Sequence, residues 1–430
     1  MKKIVHSGAL ARGFRFGKLG LTLTCSYLGY QAQNLLLGDE QRAERRQRFQ
    51  QNASRRVRHE LQSLKGAAMK IGQLLSLQTH ALPDDAIKEL ANLQMHAPAM
   101  HPTLARAQFK SSCGKYPEDV FREFDPDPFA AASLGQVHRA VTRRGEKVAV
   151  KIQYPAIRAS IENDFKLLRS ATFPGRLTGH TPVAVFDEIQ RGFLEETNYI
   201  QEGKNLDLFG AGLKGFNYVT IPRVHWDLST DRVLTMSFVE GLTMSAFLNT
   251  KPSQLIRDTI GSHLVELYYF QLHKLKAVHA DHHPGNYLFQ PDGRIGLVDF
   301  GCVKRIAFDA TDLIESVVTR SWRDSEKAAE HVLRLVFGRD VPFQRARKML
   351  PMLEEMAAIL HPEGDQTVVN FGNAKMLEAL GRAMSATLRD KLTNPEFAFV
   401  SRADLGLYSL LHQLRARVNC KEIWRHISKM

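Results

Sequence analysis

Cysteine is scarce in this chain, with four residues in 430 and no C-x-x-C pair. Scattered cysteines exclude a disulfide framework and argue against a structural zinc site, and they fit a reducing compartment. Long apolar runs are also lacking. The one uncharged stretch, residues 19–38, is interrupted by Thr, Gln and Asn. It predicts an interfacial or packing helix, with a membrane span as the alternative, and not a cleaved signal. Repeats and low-complexity segments are absent, so an ordinary globular protein with two lobes is expected.

Acidic residues are few at the start of the chain. The first sixty positions hold twelve Lys/Arg against four Asp/Glu, a net +8 of the +13 carried by the whole protein. This asymmetry predicts an anionic partner. The basic residues flank the uncharged stretch, and no nucleic-acid-binding signature accompanies them. An anionic membrane or lipid-like molecule is therefore favoured and nucleic acid is not expected, with a solvated helical face as the simpler alternative.

The residues that indicate chemistry lie at 279–286, which read HADHHPGN, and at 299–301, which read DFG. Protein kinases place an aspartate five positions before an asparagine and then use D-F-G. In that arrangement the first aspartate, here Asp281, faces a substrate hydroxyl. The asparagine and the D-F-G aspartate, here Asn286 and Asp299, hold Mg²⁺ against the nucleotide phosphates.

A β-hairpin is predicted between the two metal ligands. Residues 287–289 and 295–298 are short apolar strands, separated by a turn that contains Pro and Asp-Gly. The hairpin would bring both ligands to one end. Zinc is the alternative, because three histidines cluster in the catalytic stretch. No nearby cysteine completes such a site, and zinc would not explain D-F-G.

A nucleotide-binding lobe is predicted to open at residues 129–137. In the kinase pattern G-x-G-x-x-G-x-V, the first two glycine positions are alanine here. The third glycine and the valine match as Gly135 and Val137. Fourteen residues after the valine, Val-Ala-Val-Lys ends in Lys151, which is expected to contact the α- and β-phosphates. The predicted nucleotide-binding set is Ala130, Ala131, Ala132, Ser133, Gly135, Val137 and Lys151.

Lys151 requires a carboxylate partner, and Glu195, Glu196 and Glu202 lie 44 to 51 positions after it. This separation is long for a kinase small lobe, so residues 155–181 are predicted to be a mostly helical insertion. The next predicted elements are the remaining strands of the lobe at 218–222 and 233–236, a hinge at 237–241 and a helix at about 253–275.

An activation segment is missing after D-F-G. Residues 302–305 lead almost directly into a helix from about Asp309, and there is no A-P-E. The surface on which protein kinases hold a peptide is therefore absent. Residues 324–430 predict about four helices, with breaks near 338–340, 362–364 and 394–395, and none is apolar enough to span a membrane.

Together these residues resemble the ABC1/ADCK/UbiB family of atypical kinases, also called AarF-like. The resemblance covers about residues 60–305 and rests on K-x-G-Q at 70–73, the alanine-rich loop at 130–133 and the stretch 279–286. It implies an α+β fold, a two-lobe protein-kinase-like fold with an N-terminal helical extension and a helical C-terminal lobe, without an activation segment.

The resemblance also implies roles. Lys70 and Gln73 would guard the site, with Glu196 as a third regulatory residue. Asp281, Lys151 and Glu202 would be catalytic, and Asn286 and Asp299 would bind metal. The family's E-x-D reads Glu196-Thr197-Asn198 here, so any ionic role of position 198 is in doubt. Glu202 is preferred as the partner of Lys151, and Glu196 would then face Lys70, but the pairing stays open.

Four regions are expected. Residues 1–60 form a basic helical region for membrane-surface attachment, and 61–128 form the K-x-G-Q helical extension. Residues 129–240 form the nucleotide-binding lobe with its helical insertion, and 241–430 form the helical lobe with the catalytic and metal-binding loops.

The function implied is that of an atypical kinase or ATPase. It would use ATP (or ADP) with Mg²⁺ and support ubiquinone or other isoprenoid-lipid metabolism at membranes, with biosynthetic proteins as further partners. The alternative is a nucleotide-sensing, membrane-associated scaffold without phosphotransfer. The expected location is cytoplasmic, peripheral at the inner face of a membrane, or on the matrix side in a mitochondrion or plastid.

Overall fold

The structure is a computed structural model and describes residues 100–132, 134–171, 190, 194–338, 341–364, 367–389 and 394–430. The basic N-terminal region, the K-x-G-Q segment with Lys70 and Gln73, and Ser133 lie outside the described residues. The chain divides into two compact units. The first comprises the chain up to Gln201 together with His225–Ser237, and the second comprises Glu202–Val224 and Phe238–Met430.

The described strands are, in chain order, β1 (Glu123–Phe124), β2 (Ala130–Ala132), β3 (Gly135–Val141), β4 (Lys147–Gln153), β5 (Val219–Thr220), β6 (Val233–Ser237), β7 (Ala277–His279), β8 (Tyr287–Phe289), β9 (Ile295–Leu297), β10 (Val303–Arg305), β11 (Val369–Asn370) and β12 (Arg417–Val418). The described helices are α1 (Pro102–Cys113), α2 (Pro117–Val120), α3 (Ile157–Ala171), α4 (Tyr199–Gly212), α5 (Met244–Asn249), α6 (Gln254–Phe270), α7 (Ala310–Thr319), α8 (Glu326–Phe337), α9 (Phe343–Ala346), α10 (Leu350–Leu360), α11 (Ala374–Arg389), α12 (Pro395–Leu414) and α13 (Cys420–Ile427).

An antiparallel sheet forms the centre of the first unit. Its strand order is β1-β3-β4-β6, and β2 pairs with the first three residues of β3. Helix α1 packs on this sheet. The helix begins with a proline in its first turn and ends at Gly114 (φ 76°), which suits the left-handed cap position. Its Phe109 is fully buried in a core with Val148, Val150 and Ile152 of β4.

Helices and small sheets form the second unit. Strand β9 pairs antiparallel with β8 and parallel with β5, and β10 pairs with β7. The prediction that residues 218–222 belong to the sheet of the nucleotide lobe is therefore wrong. The two residues that form β5 hydrogen-bond to the hairpin between the predicted metal ligands. The predicted helix at 253–275 is confirmed as α6, which continues into a π-helical turn at Gln271–Leu275.

The C-terminal part contains more helices than the four predicted, since α8 to α13 all lie there. Of the predicted breaks, Gly338 caps the end of α8, residues 362–364 follow α10, and Asn394 is the N-terminal cap of α12. The break between α12 and α13 carries no glycine or proline. Arg415 itself takes the left-handed conformation (φ 50°) that ends α12, and residues with a Cβ reach it rarely. No helix of the described residues is long and apolar enough to cross a membrane.

Candidate active site

The predicted phosphate loop and the predicted phosphate-binding lysine lie on one sheet. In the first unit Ala130 pairs with Val137 and Ala132 with Gly135, and Val137 in turn pairs with Lys151. Lys151 is buried, and its Nζ lies 5.1 Å from the centroid of the Tyr199 ring, within range for a cation–π contact. The register therefore sets the lysine beside the hairpin that contains the alanines, as the kinase pattern requires.

Glycine at position 135 is required by packing. A Cβ built there would lie 2.3 Å from the backbone oxygen of Ile152 on β4. The alanines behave differently. Ala130, Ala131 and Ala132 form extended β2, and none of them has a positive φ. The backbone freedom that glycine would supply is thus not used at these three positions.

Backbone and side-chain hydrogen bonds close the catalytic stretch on itself. The Asn286 side-chain amide donates to the backbone oxygen of Asp281 (3.0 Å), and the amide of His283 donates to Oδ1 of Asp281 (3.3 Å). The backbone of Ala280 donates to Cys302, which follows D-F-G (2.9 Å). The predicted catalytic residue is therefore linked both to a predicted metal ligand and to the D-F-G segment.

The predicted hairpin between the two metal ligands is confirmed. Tyr287 pairs with Leu297, and the amide of Val298 donates to the backbone oxygen of Asn286 (3.1 Å). Asp299 follows directly, so Asn286 and Asp299 lie at the open end of one hairpin. Carboxylate and amide oxygens are the hard ligands that Mg²⁺ prefers, so this donor set fits the metal of a MgATP complex. These two residues would hold it.

The D-F-G backbone is held from the catalytic strand. Nε2 of the buried His279 donates to the backbone oxygen of Asp299 (2.5 Å), and its ring meets that of Phe300 edge-on at 5.1 Å. The His279 amide donates in turn to the side-chain oxygen of Gln271, a buried residue of the π-helical turn (2.9 Å). A chain of contacts thus runs from α6 through the catalytic strand to the metal ligand.

Helix α4 holds the D-F-G phenylalanine at both its backbone groups. The Phe300 amide donates to Oε1 of Glu202 (3.4 Å), and Nδ2 of Asn205 donates to the Phe300 oxygen (2.9 Å). The Phe209 ring packs against Phe300 at 4.9 Å. These three positions, spaced by three and four residues, share one face of the helix. The structure thus ties Glu202 to D-F-G, and its pairing with Lys151 stays a prediction.

Each of the three histidines of the catalytic stretch contacts a protein partner through one ring nitrogen. His279 bonds to Asp299, Nδ1 of His282 contacts the Tyr287 hydroxyl, and Nδ1 of His283 accepts the amide of Gly285. Burial lowers the pKa of His282 to about 3, so its ring is neutral. Among the described residues no three His, Cys, Asp or Glu side chains are grouped so that they could hold a metal ion, which speaks against the zinc alternative.

Of the predicted regulatory residues the structure describes Glu196, which lies in the first unit. Glu196 is half-buried and precedes Thr197 and Asn198, which correspond to the family's E-x-D. Thr197 accepts at its backbone oxygen from Nε2 of the buried Gln153 (2.9 Å). A cavity of about 550 Å³ lies here, lined in part by Gln153, Asn198 and Arg158. The proposed contact of Glu196 with Lys70 lies outside the described residues.

Sequence reasoning missed Gln271, Asn205 and the His282–Tyr287 pair. Asn205 follows Glu202 at helical spacing, which is a usable pattern once the helix is assumed. Gln271 is a single amide in the apolar run YYFQL, and the two rings lie five positions apart in a loop. Nothing local marks these residues, because their partners are set by the tertiary fold.

Comparison with known proteins agrees with this geometry. "Protein ACTIVITY OF BC1 COMPLEX KINASE 7, chloroplastic" of Arabidopsis thaliana is 33% identical over 272 residues, which is 62% of this chain and 39% of that protein. "AarF domain-containing protein kinase 1" of Mus musculus is 30% identical over 309 residues, 69% of this chain and 58% of that protein. The chain thus spans less than two thirds of the length of both relatives.

A solved structure is similar over most of the chain. It is that of the complex of Rv3197 with erythromycin, from Mycobacterium tuberculosis, with a TM-score of 0.60 and 26% identity. The match covers 89% of this chain and 97% of that one. The model of the ABC1 atypical kinase-like domain matches residues 92–332, which is more than half of the sequence. The chain belongs to the ABC1 atypical kinase-like family.

Proposed function

We propose that this protein is an atypical kinase or ATPase that binds ATP with Mg²⁺ and supports ubiquinone or other isoprenoid-lipid metabolism at membranes. One observation carries the enzymatic part. The hairpin β8–β9 brings Asn286 and Asp299 to one end, and the Asn286 side chain bonds to the backbone of Asp281. Asp281, Asn286 and Asp299 match three positions that kinases use for phosphoryl transfer, and all three lie in the second unit.

Each residue would have a separate task. Asn286 and Asp299 would hold Mg²⁺, which supplies charge neutralisation at the phosphates when it is bound. Lys151 would bind the phosphates from the β4 strand. Asp281 would accept the proton of the attacking hydroxyl or water. Gln271 and His279 would keep the D-F-G backbone in register with that aspartate.

A peptide hydroxyl is not the favoured acceptor. Strand β10 ends at Arg305 and α7 begins at Ala310 with Asp309 as its cap, so four residues separate them. Protein kinases use an activation segment at this place to order the site and hold the peptide. A small or lipid-like molecule, or water, is the better acceptor. The +8 charge of residues 1–60 supports a location at an anionic membrane surface.

The alternative is a scaffold that binds nucleotide and switches its hold on a membrane or on biosynthetic proteins. Retention of Lys151, Asp281, Asn286 and Asp299 together favours the enzyme, since a scaffold requires binding without turnover.

Phosphate release by the purified full-length protein, with and without anionic vesicles, tests the proposal. The wild type is expected to release phosphate from ATP only with Mg²⁺, and Asp299→Asn to lose both this activity and the Mg²⁺-dependent stabilisation by ATP. Asp292→Asn is the matched control, because Asp292 lies at the exposed turn of the same hairpin and bonds only locally to Arg294. Nucleotide binding without release would favour the scaffold. Unchanged MgATP stabilisation in Asp299→Asn would remove the kinase interpretation.

A further inference from the structure

The catalytic loop is closed by a second pair of side chains, next to the predicted functional residues. Nδ1 of His282 lies 2.5 Å from the hydroxyl of Tyr287. His282 directly follows Asp281, and Tyr287 directly follows Asn286. One contact therefore joins the residue after the predicted catalytic aspartate to the residue after the predicted metal ligand.

Both rings are held in a single protonation state. Burial lowers the pKa of His282 and raises that of Tyr287, and the nearby charge of Asp281 raises the latter further. The phenol is thus protonated and the imidazole neutral, so the hydroxyl can donate to Nδ1. Both rings are buried, so breaking this hydrogen bond leaves a polar atom unpaired in the interior.

The His282–Tyr287 pair packs against two helices of the second unit, α6 and α12. The ring of Tyr268 on α6 meets that of His282 edge-on at 5.5 Å, and its hydroxyl donates to the backbone oxygen of Val400 on α12 (3.3 Å). On α12, Gly406 faces His282 directly. A Cβ built at Gly406 would lie 3.1 Å from Cβ of His282, tighter than ordinary contacts. Glycine at position 406 therefore allows the catalytic loop to pack closely against α12.

Helix α12 spans residues 395–414 and lies beyond the part of the chain that the family model matches, which ends at 332. We propose that the His282–Tyr287 pair, seated on α12 at Gly406, is a positioning device that fixes Asp281 relative to Asn286. This inference rests on the proposed function, since it assigns the two flanking residues to catalysis and metal binding. His282, Tyr287 and Gly406 are positioning residues, and none of them is required to touch substrate.

Two tyrosine variants separate positioning from stability. Tyr287→Phe removes the hydroxyl from the pair. Tyr218→Phe is the control, because the Tyr218 hydroxyl also makes a 2.5 Å bond in the second unit, to Oε2 of Glu266, away from the loop. Both variants are expected to lower the Tm. Tyr287→Phe alone is expected to lower Mg²⁺-dependent phosphate release about tenfold or more with the Kd for ATP changed less than about threefold, since misplacement acts on the transition state.

Two helical glycines give an independent comparison. Gly406→Ala places a methyl group against His282, whereas Gly381→Ala on α11 meets no atom within 4 Å. Gly406→Ala is expected to reduce phosphate release at unchanged nucleotide affinity, and Gly381→Ala to leave release unchanged. Wild-type release in both Tyr287→Phe and Gly406→Ala would overturn the proposal.

Failure of the proposed enzymatic function can be distinguished from failure of the positioning proposal. If the wild type binds ATP but releases no phosphate, the same variants are compared for the Mg²⁺ concentration that gives half-maximal stabilisation by ATP. A several-fold rise in Tyr287→Phe, but not in Tyr218→Phe, would support positioning of Asn286, because a displaced ligand weakens metal binding. Equal Mg²⁺ requirements in the two variants would overturn the proposal.

Discussion

Oε1 of Glu202 accepts the backbone amide of Phe300 in the second unit, 98 positions along the chain. Asn205 holds the carbonyl of the same phenylalanine from the next turn of the helix. The carboxylate at 202 therefore has a structural task that does not depend on Lys151. Lys151 would require a negative charge at position 202, whereas the Phe300 amide requires only an acceptor oxygen. Different substitutions at position 202 separate these two requirements.

Glu202→Gln keeps an acceptor oxygen for the Phe300 amide, whereas Glu202→Ala removes it. The alanine variant is expected to lose about 1–3 kcal/mol of unfolding free energy, because a buried amide is left unpaired, and the glutamine variant much less. If Glu202 also pairs with Lys151, Glu202→Gln lowers phosphate release while keeping its Tm. Chemical denaturation and phosphate release measure the two effects. Equal stability of the two variants would show that the Phe300 bond contributes nothing.

Local turn chemistry explains why the hairpin between the predicted metal ligands can be predicted from the sequence. The Asp292-Gly293 turn between β8 and β9 has Gly293 at φ 87°, and the turn between β3 and β4 has Gly145 at φ 88°. A residue type that reaches this conformation freely marks such turns in the sequence. The kinase-like spacing of Asp281, Asn286 and Asp299 was readable for a similar reason, since it depends on one hairpin.

Long-range pairings were not predictable. Strand β5 pairs with β9 over a separation of about 76 residues, and two residues carry too little pattern to choose between two sheets. Gln271 and Asn205 are ordinary amides until the fold supplies their partners. The extra helix end at Arg415 was missed because the residue that adopts the left-handed cap is not glycine.

The buried guanidinium of Arg320 joins two helical segments of the second unit. Its Nη2 donates to the His361 oxygen (2.9 Å), and its Nε lies 3.3 Å from Glu354 and 3.1 Å from Glu363. Arg320→Gly keeps a residue that suits its φ of 55°. The variant is expected to lose about 1–3 kcal/mol of unfolding free energy, since the buried His361 oxygen loses its donor, whereas both acids keep Arg323 as a partner.

Arg415→Gly is the matched control for Arg320→Gly. Arg415 has the same left-handed cap conformation (φ 50°), but its side chain is exposed. This substitution is expected to be neutral or stabilising by up to about 1 kcal/mol, because glycine reaches the cap conformation without strain. Urea denaturation of both variants measures the difference. Equal effects would show that the Arg320 network does not stabilise the unit.

Asp404 on α12 is expected to make stability fall as pH rises. Burial raises its pKa to about 7, although a hydrogen bond from Tyr268 opposes the shift. An unfolded aspartate titrates near 3.9, so between about pH 4 and 7 the folded protein binds more protons than the unfolded chain. The contribution of this group is therefore fully present below about pH 4 and is lost progressively as pH rises to about 7.

Asp404→Asn removes the titration with almost no change in side-chain size. Relative to wild type it is expected to gain stability with rising pH, by at most about 4 kcal/mol above pH 7, since one pKa unit equals about 1.36 kcal/mol. His282 and His361, whose pKa values burial lowers to about 3, are present in both proteins and cancel in the comparison. Parallel stability curves from pH 4 to 8 would contradict the assignment.

Residues 1–60 are expected to attach the protein to anionic membranes. Their net charge of +8 surrounds the uncharged stretch 19–38. Each basic residue near such a surface contributes roughly 1 kcal/mol at most, so binding should weaken with salt. Co-sedimentation with anionic and neutral vesicles compares the full-length protein with one that lacks residues 1–60. Equal sedimentation of both forms would place the attachment elsewhere.

The alanine loop is expected to restrict nucleotide handling. Ala132 occupies a kinase glycine position, and a Cβ there hinders close approach of the backbone to phosphates. Strand β2 is extended and needs no positive φ, so glycine would add no required backbone conformation there. The expected effect of alanine is therefore steric only. Ala132→Gly is therefore predicted to change the Kd for ATP or to raise autophosphorylation while leaving the fold intact.

Gly135 provides the internal reference for that experiment. Gly135→Ala is expected to be strongly destabilising, because its Cβ would meet the Ile152 backbone oxygen at 2.3 Å and strand β4 cannot move away without breaking the sheet. Glycine at position 135 would thus be required for packing. Alanine at position 132 would instead control nucleotide affinity and phosphoryl transfer. Nucleotide titration, radiolabel incorporation from ATP and thermal melts are measured on wild type and both variants. If Ala132→Gly leaves affinity, nucleotide preference and autophosphorylation unchanged, alanine at this position is only the local packing choice.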